Sequence, residues 1–188
     1  MHALLEPELW AALFTLAALE IVLGIDNIIL LSLQSYDMSV AQDLIDDYLA
    51  ATIKETVKEF KWFVRLHPRQ LPLRDVLKAE LDKLGLLNEV VVDNANDLPM
   101  PAILSRASVH MTKSSGSAIE AAIMAVPNII LDEHGAARYE EYIRQGSATL
   151  YLGKDPKALA QVIRSTIANR KAKSINLESN WDFILHLQ

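Results

Sequence analysis

The chain has 188 residues, 51% of them hydrophobic, so it can bury one substantial core and is not expected to be disordered. Its formal net charge of −6, with no long lysine and arginine run, argues against a nucleic-acid-binding surface, which needs clustered cations to neutralise phosphates. The absence of cysteine excludes disulfides, thiolate catalysis and cysteine-bound metals, and it fits the reducing cytoplasm, where we expect the protein to be.

An apolar segment over residues 9–33 is long enough to span a bilayer. However, Glu20, Asp26 and Asn27 lie inside it, where polar groups are costly in hydrocarbon, and no lysine or arginine precedes it. We therefore expect residues 1–27 to form a separate apolar helix that packs on the domain or on a second copy of the chain. Membrane association through residues 9–33 is the alternative.

From residue 28 onward, short apolar runs alternate with segments of helical periodicity. The apolar runs predict strands at 28–33, 61–66, 89–92, 108–112, 128–131 and 148–152, although 28–33 could also extend the preceding helix. The periodic segments predict helices near 39–59, 74–84, 100–106, 117–124, 136–145, 156–169 and 181–187. Ser39 and Asp155 are predicted N-caps, and Gly85 is predicted to end a helix. Residues 28–188 are thus predicted to form an α/β, Rossmann-like, doubly wound domain with a parallel sheet of about six strands.

Polar side chains follow four of the predicted strands, and in an open parallel sheet ligands bind beyond the carboxyl ends of the strands. In chain order these residues are His67 and Arg69; Asp93 and Asn94; Thr112, Ser114 and Ser115; and Asp132, Glu133 and His134. Their shared placement predicts a site at one edge of the sheet. We do not expect the last three to hold a metal, because consecutive residues rarely converge on one ion.

The stretch 107–139 is the most informative part of the chain. It predicts a strand, a hydroxyl-rich loop at 112–117, a helix of small residues and a second strand. Hydroxyls and free N–H groups where a loop opens into a helix favour an anion such as a nucleotide phosphate. Neither GxGxxG nor GxxxxGK[ST] occurs, so the common dinucleotide and Walker-type loops are unsupported.

Ser117, Glu120 and His67 each have more than one interpretation. Ser117 and Glu120 have the spacing of a capping box, and a glutamate in the first helical turn could also hold ribose hydroxyls. His67, which precedes Pro68, could be a structural hydrogen-bond partner, a phosphate donor or a general acid or base.

Three segments in order resemble the C-terminal, nucleotide-binding half of GT-B-type glycosyltransferases over residues 29–167. They are FVRLHPRQ at 63–70, HMTKSSGSAIEAAIMAVPNIIL at 110–131 and DEHGAARYEEYIRQGSA at 132–148. The similarity is to bacterial surface-polysaccharide, capsule and polyol-phosphate transferases and to the related sugar-nucleotide 2-epimerases. It implies a nucleotide-sugar donor as substrate, with no separate cofactor and no metal.

The resemblance also implies roles for individual residues. His67 would be the catalytic residue that faces the donor diphosphate. The implied donor-binding residues are Arg69, Thr112, Ser114, Ser115, Ser117, Glu120, Gly135 and Tyr139. Among them Glu120 would contact the ribose, and the last two would shape the pocket wall. A GT-B enzyme has two α/β halves around its active site, and the acceptor-binding half is not recognisable here. We therefore expect donor binding, with a partner chain or a homodimer needed for turnover.

A second resemblance covers residues 9–32. WAALFTLAALEIVLGIDNII is similar to the opening helix of the TerC family of integral membrane proteins, in which intramembrane acidic residues are thought to handle metal ions. It implies such a role for Glu20 and Asp26. The alternatives to a nucleotide-sugar-binding domain are thus a TerC-like membrane protein and a non-catalytic α/β domain that dimerises.

Overall fold

The computed structural model describes residues 28–33 and 44–185, with side chains described as far as residue 170. The described residues contain one six-stranded, all-parallel sheet. Its strands are β1 (Ile28–Leu33), β2 (Lys61–Leu66), β3 (Val90–Val91), β4 (Ala107–Thr112), β5 (Asn128–Ile130) and β6 (Ala148–Leu150). The predicted α/β fold is confirmed, and residues 28–33 form a strand rather than the end of a helix.

Helices connect the strands. In chain order they are α1 (Asp47–Thr56), a 3-10 helix (Pro68–Leu73), α2 (Arg74–Lys83), α3 (Asp93–Asp97), α4 (Met100–Leu104), α5 (Ser117–Ile123), α6 (Glu133–Arg138), α7 (Glu140–Arg144) and α8 (Pro156–Leu185). Gly85 adopts a φ of +68° after α2, and the Asp155 carboxylate accepts from Lys157 N–H at 2.8 Å at the start of α8, as predicted.

Three helix predictions are wrong in their bounds. Helix α1 begins at Asp47 rather than near residue 39, because the N–H groups of Leu44 and Ile45 donate to the Glu80 carboxylate outside any helix. The predicted helix 136–145 divides at Tyr139, where the backbone leaves helical geometry (φ −114°). Helix α8 runs on to its end without a break, so the separate helix predicted near 181 does not exist.

One face of the sheet is covered by α1, α2 and α8. These helices contribute Ile53, Leu77 and Ile163 to a core cluster that also holds Met111 of β4 and Trp62 of β2. The Trp62 indole N–H donates to the Thr56 hydroxyl at 3.1 Å, so its polar atom is satisfied inside the core. This is the larger of the hydrophobic layers in the described structure.

The other face is covered by α4, α5, α6 and α7. Neighbouring residues of a strand point to opposite faces, so Leu30 packs with α4 and α5 while Ile29 joins the first cluster. A further cluster on this side joins Ala118 of α5 to Ile130 and Tyr139. Burial on both faces explains why β1 reads as a continuous apolar run.

The strand order is β3-β2-β1-β4-β5-β6. The chain adds β2 and β3 on one side of β1 and then β4, β5 and β6 on the other, so the winding of the sheet switches between β1 and β4. In open α/β sheets, the crevice beyond the carboxyl ends of the strands at such a switch point is where ligands bind. The register places Ser32 opposite Thr112 and Leu33 opposite Leu66, so β1, β2 and β4 end at the same edge. The loops that follow them therefore line one crevice.

The predicted N-terminal helix over residues 1–27, most of the TerC-like segment and the Ser39 cap lie outside the described residues. The helix, the TerC-like role of Glu20 and Asp26, and the domain boundary at residue 28 therefore stay predictions. Among the helices that the structure describes, none combines the length and the apolar character needed to cross a membrane.

Candidate functional site

The segment Lys113–Ser117 follows β4 at the switch point, and we call it the hydroxyl loop. Thr112, which precedes it, is fully buried. The Thr112 hydroxyl donates to the Ser32 carbonyl at 3.1 Å and accepts from the Ser115 N–H at 3.1 Å. Thr112 therefore fixes the loop to β1, and its hydroxyl is already engaged within the protein.

The carbonyl groups of the hydroxyl loop are held from the side of α6 and α7. The buried Tyr139 hydroxyl lies 2.6 Å from the Ser115 carbonyl oxygen and 3.1 Å from that of Ser114, and Arg138 Nη1 donates to Ser114 at 3.2 Å. In a planar trans peptide the N–H points away from the preceding carbonyl. The Gly116 N–H consequently points away from Tyr139.

Gly135 allows α6 to approach the hydroxyl loop closely. A Cβ atom built at this position would lie 1.8 Å from the Lys113 carbonyl oxygen and 2.7 Å from a methyl carbon of Ile130. The Asp132 carboxylate accepts from the Gly135 N–H at 2.7 Å and caps α6. Gly135 and Tyr139 thus support the loop directly, and their predicted contact with a donor stays a prediction.

A buried polar network lies on the other side of the loop, centred on His110 of β4. Its Nδ1 lies 2.6 Å from Asn128 Oδ1, and its Nε2 lies 2.9 Å from Ser32 Oγ and 3.1 Å from Ser117 Oγ. Ser117 Oγ continues to Ser115 Oγ at 2.9 Å. Complete burial lowers the pKa of His110 to about 4, so the ring is neutral near pH 7.

Sequence reasoning missed His110, Ser32 and Asn128 as parts of the site. His110 lies in the interior of a strand, where the pattern predicts packing rather than chemistry. The available signal was the alternation of Ser108, His110 and Thr112 in β4, which places three polar residues on one face of a buried strand.

The capping-box interpretation of Ser117 and Glu120 is wrong. Helix α5 begins at Ser117 with Gly116 as its N-cap residue, so Ser117 cannot cap it, and the Ser117 hydroxyl bonds to His110 and Ser115 instead. The Ser115 hydroxyl oxygen accepts from the Ser117 N–H at 3.4 Å. Glu120 is exposed in the first turn of α5. Burial lowers the pKa of Arg65, and the nearby Glu120 carboxylate opposes that shift.

At the end of β2, His67 accepts a hydrogen bond at Nδ1 from the Arg69 N–H at 3.2 Å. When Nδ1 of a neutral imidazole is the acceptor, Nε2 carries the proton and can donate. One strand separates β2 from β4, so His67 lies about 10 Å across the edge from the hydroxyl loop. The exposed Arg69 and the half-buried His67 thus flank one side of the crevice, and the hydroxyl loop flanks the other.

The structure does not bring every predicted residue to this crevice. Asp93 is in ion pairs with Lys78 at 2.9 Å and with Arg74 at 3.9 Å on the surface beside α2. After β3, the buried side-chain amide of Asn96 bonds the backbone of β2 and holds α3 in place. In the loop after β5, Asp132 caps α6, whereas Glu133 and His134 are exposed.

An ion pair also crosses the crevice beyond β1. Lys113 Nζ lies 2.8 Å from an Asp46 carboxylate oxygen, and both side chains are more than one third exposed. The pair ties the hydroxyl loop to the residue that precedes α1. The sequence did not predict it, because the two residues are far apart in the chain.

Several solved structures share this fold. UDP-GlcNAc 2-epimerase from Methanocaldococcus jannaschii, solved with UDP-GlcNAc and UDP, has a TM-score of 0.55 and 18% identity, covering 81% of this chain and 41% of its own. The C-terminal CMP-Kdo binding domain of WaaA from Acinetobacter baumannii has a TM-score of 0.54 and 13% identity, with coverages of 88% and 93%. Anabaena HepE, solved with UDP and glucose, has a TM-score of 0.52 and 15% identity, with coverages of 91% and 51%.

No family model and no curated protein matches the chain. The TerC resemblance is therefore not shown by any comparison. The chain spans 41% of the epimerase and 51% of HepE, but 93% of the WaaA domain. At these identities the likeness shows the fold alone, and that fold is the Rossmann-like, GT-B-like α/β domain predicted from the sequence.

Proposed function

We propose that this chain binds a nucleotide-diphosphate sugar and is the donor-binding half of a glycosyltransferase-like protein. The observation that carries the proposal is the hydroxyl loop at the switch point between β1 and β4. Its carbonyl oxygens at Ser114 and Ser115 are bonded to the Tyr139 hydroxyl, away from the crevice. Ionised phosphate oxygens only accept hydrogen bonds, so a loop that engages these carbonyls and leaves the half-buried Ser115 hydroxyl and the exposed Gly116 backbone as donors suits them.

The remaining groups of the crevice fit the other parts of such a donor. Arg69 is a cation that can face the diphosphate, and Lys113 is a second one if a phosphate replaces Asp46 as its partner. His67 presents an Nε2 proton from the side of Arg69. Glu120 is an exposed carboxylate in the first turn of α5, where it can accept hydrogen bonds from ribose hydroxyls. Arg69, Ser115, Glu120 and His67 keep the roles implied by the GT-B resemblance. The other residues named from it are buried, and Thr112, Ser117, Gly135 and Tyr139 hold the loop in place.

The proposed chemistry is transfer of the sugar to an acceptor hydroxyl. The bond between the anomeric carbon and the diphosphate oxygen breaks, with the electron pair staying on the nucleoside diphosphate. A new bond forms to the acceptor oxygen, and a general base in the acceptor-binding half takes the acceptor proton. Negative charge grows on the leaving diphosphate, and fixed donors from the hydroxyl loop and His67 stabilise it. The acceptor site would come from a second α/β half or a partner chain. Following the sequence resemblance, we place this reaction in bacterial surface-polysaccharide biosynthesis in the cytoplasm.

Thermal unfolding with UDP or CDP tests the proposal. We expect millimolar UDP or CDP to raise the Tm, by about 2 to 4 °C for each kcal/mol of binding-linked stabilisation. Ser115→Ala should reduce the shift because it removes a phosphate donor, and Glu120→Ala should reduce it because it removes a ribose acceptor. The measurement is differential scanning fluorimetry across a ligand titration.

Ser105→Ala is the matched control for this experiment. Ser105 has an exposed hydroxyl that donates to the Ala102 carbonyl, and it lies just before β4, at the opposite edge of the sheet. This variant should keep the full ligand shift. A wild-type chain whose Tm does not move with either nucleotide would contradict the proposed function.

A further inference from the structure

His110 is the only histidine among the described residues that is completely buried, and both of its ring nitrogens have partners. The side-chain orientation of Asn128 defines which nitrogen carries the proton. Asn128 Nδ2 lies 3.0 Å from the Ala118 carbonyl, which can only accept, so Asn128 Oδ1 faces the ring. His110 Nδ1 therefore carries the proton and donates to Oδ1 at 2.6 Å, and Nε2 is an acceptor.

The acceptor at Nε2 sets the direction of the neighbouring hydroxyl protons. Ser32 Oγ is the nearer hydroxyl at 2.9 Å, and Ser117 Oγ lies at 3.1 Å. When the Ser32 hydroxyl donates to Nε2, the single lone pair of that nitrogen is used. The Ser117 hydroxyl then donates to Ser115 Oγ at 2.9 Å instead. Ser115 then accepts from Ser117, and its own proton is left to point out of the loop. In the opposite direction Ser115 would donate inward to Ser117 and offer a ligand only lone pairs.

We infer that His110 is a positioning residue. Together with Ser32 it fixes the direction of the hydrogen bond between the Ser117 and Ser115 hydroxyls, which we call the hydroxyl relay, so that Ser115 presents its proton to the phosphate of a bound nucleotide. The inference rests on the proposed function. It extends that function from Ser115, which would contact the ligand, through Ser117 to the buried His110. It rests on the contacts of a buried imidazole with the Ser32 hydroxyl and, through Ser117, with the loop.

Two variants of His110 test the relay. His110→Asn keeps a polar group near Nδ1 but is too short to reach the two serines, whereas His110→Gln places an acceptor near the position of Nε2. Without Nε2, the Ser32 hydroxyl no longer donates to the ring and can accept from Ser117, so that Ser115 donates inward to Ser117. We therefore expect His110→Asn to weaken UDP and inorganic diphosphate binding about tenfold, as for loss of one hydrogen bond to a charged group. His110→Gln should restore most of the affinity. Uridine, which has no phosphate, should bind all variants as it binds the wild type.

Ser32→Ala is the second test, and it leaves the imidazole in place. Without the Ser32 hydroxyl, Nε2 accepts its hydrogen bond from the Ser117 hydroxyl. The Ser117 oxygen then accepts from Ser115, so the relay reverses. We expect UDP affinity to fall by a similar factor of about ten, although Ser32 is buried and its side chain contacts His110 rather than the loop. This variant keeps the inference testable if His110→Asn does not fold, which circular dichroism without ligand would show.

Isothermal titration calorimetry with UDP, inorganic diphosphate and uridine separates the outcomes. Equal loss of uridine and UDP affinity would mean that the network only supports the fold, and it would overturn the inference. Wild-type affinity for UDP in Ser32→Ala, or in folded His110→Asn, would overturn it as well while the proposed function stands. A wild-type chain that binds neither UDP nor diphosphate would overturn both.

Discussion

Replacing Gly135 by alanine should cost more than about 4 kcal/mol in the free energy of unfolding, an exceptional loss for a single methyl group. The added Cβ would lie 1.8 Å from the Lys113 carbonyl oxygen and 2.7 Å from an Ile130 methyl carbon. The first of these is a backbone atom in the first residue of the hydroxyl loop, so it cannot move aside as a flexible side chain could. Either α6 or the loop must shift, and the Tyr139 hydroxyl would lose its carbonyl partners. Urea unfolding followed by circular dichroism measures the change.

Gly116→Ala is the matched control, because nothing lies within 4 Å of a Cβ built there and its φ of −55° suits any residue. We expect this variant to be as stable as the wild type or slightly more stable, by about 0.4 to 1 kcal/mol. If Gly135→Ala unfolded at the same urea concentration as Gly116→Ala, the close approach of α6 to the loop would be wrong.

Acidification should destabilise the protein through His110. The pKa of His110 falls from 6.5 in the unfolded chain to about 4 in the fold, because burial disfavours the charged ring. The unfolded state therefore binds a proton first, and stability decreases as the pH falls from about 6.5 to about 4. The loss approaches a value on the order of 3 kcal/mol near the lower pH and grows no further below it.

Urea unfolding across that pH range, with wild type and His110→Gln compared, isolates the contribution of the ring. Glutamine does not titrate, so the variant should lose less stability than the wild type by roughly the amount above. The acidic groups are common to both chains and cancel in the difference. Parallel pH profiles for the two proteins would show that His110 is not buried as a neutral ring.

Most of the fold could be predicted because local pattern and global topology agree. The sequence IILLSL at 28–33 is apolar at every position except Ser32 because β1 is central and covered on both faces. Gly85 and Asp155 mark helix ends through backbone preferences that act locally. The start of α1 was mispredicted because it depends on Glu80, a carboxylate 35 residues away from Ile45.

The candidate site was predicted in part, for a related reason. Residue types identified the hydroxyl loop, because Ser114, Ser115 and Ser117 follow Thr112 between a predicted strand and a predicted helix. Which atoms remain for a ligand depends on distant partners: the Thr112 hydroxyl is engaged by Ser32, 80 residues earlier, and the Ser115 carbonyl by Tyr139, 24 residues later. The same limit hid His110, whose role arises only where β1, β5 and α5 meet around it.

A crystal structure of the full chain with UDP tests the central claim most directly. The account predicts that a phosphate oxygen lies within hydrogen-bond distance of Ser115 Oγ, in the crevice between the hydroxyl loop and His67, with the ribose beside Glu120. UDP bound with its phosphates away from the hydroxyl loop, or bound elsewhere on the protein, would contradict it.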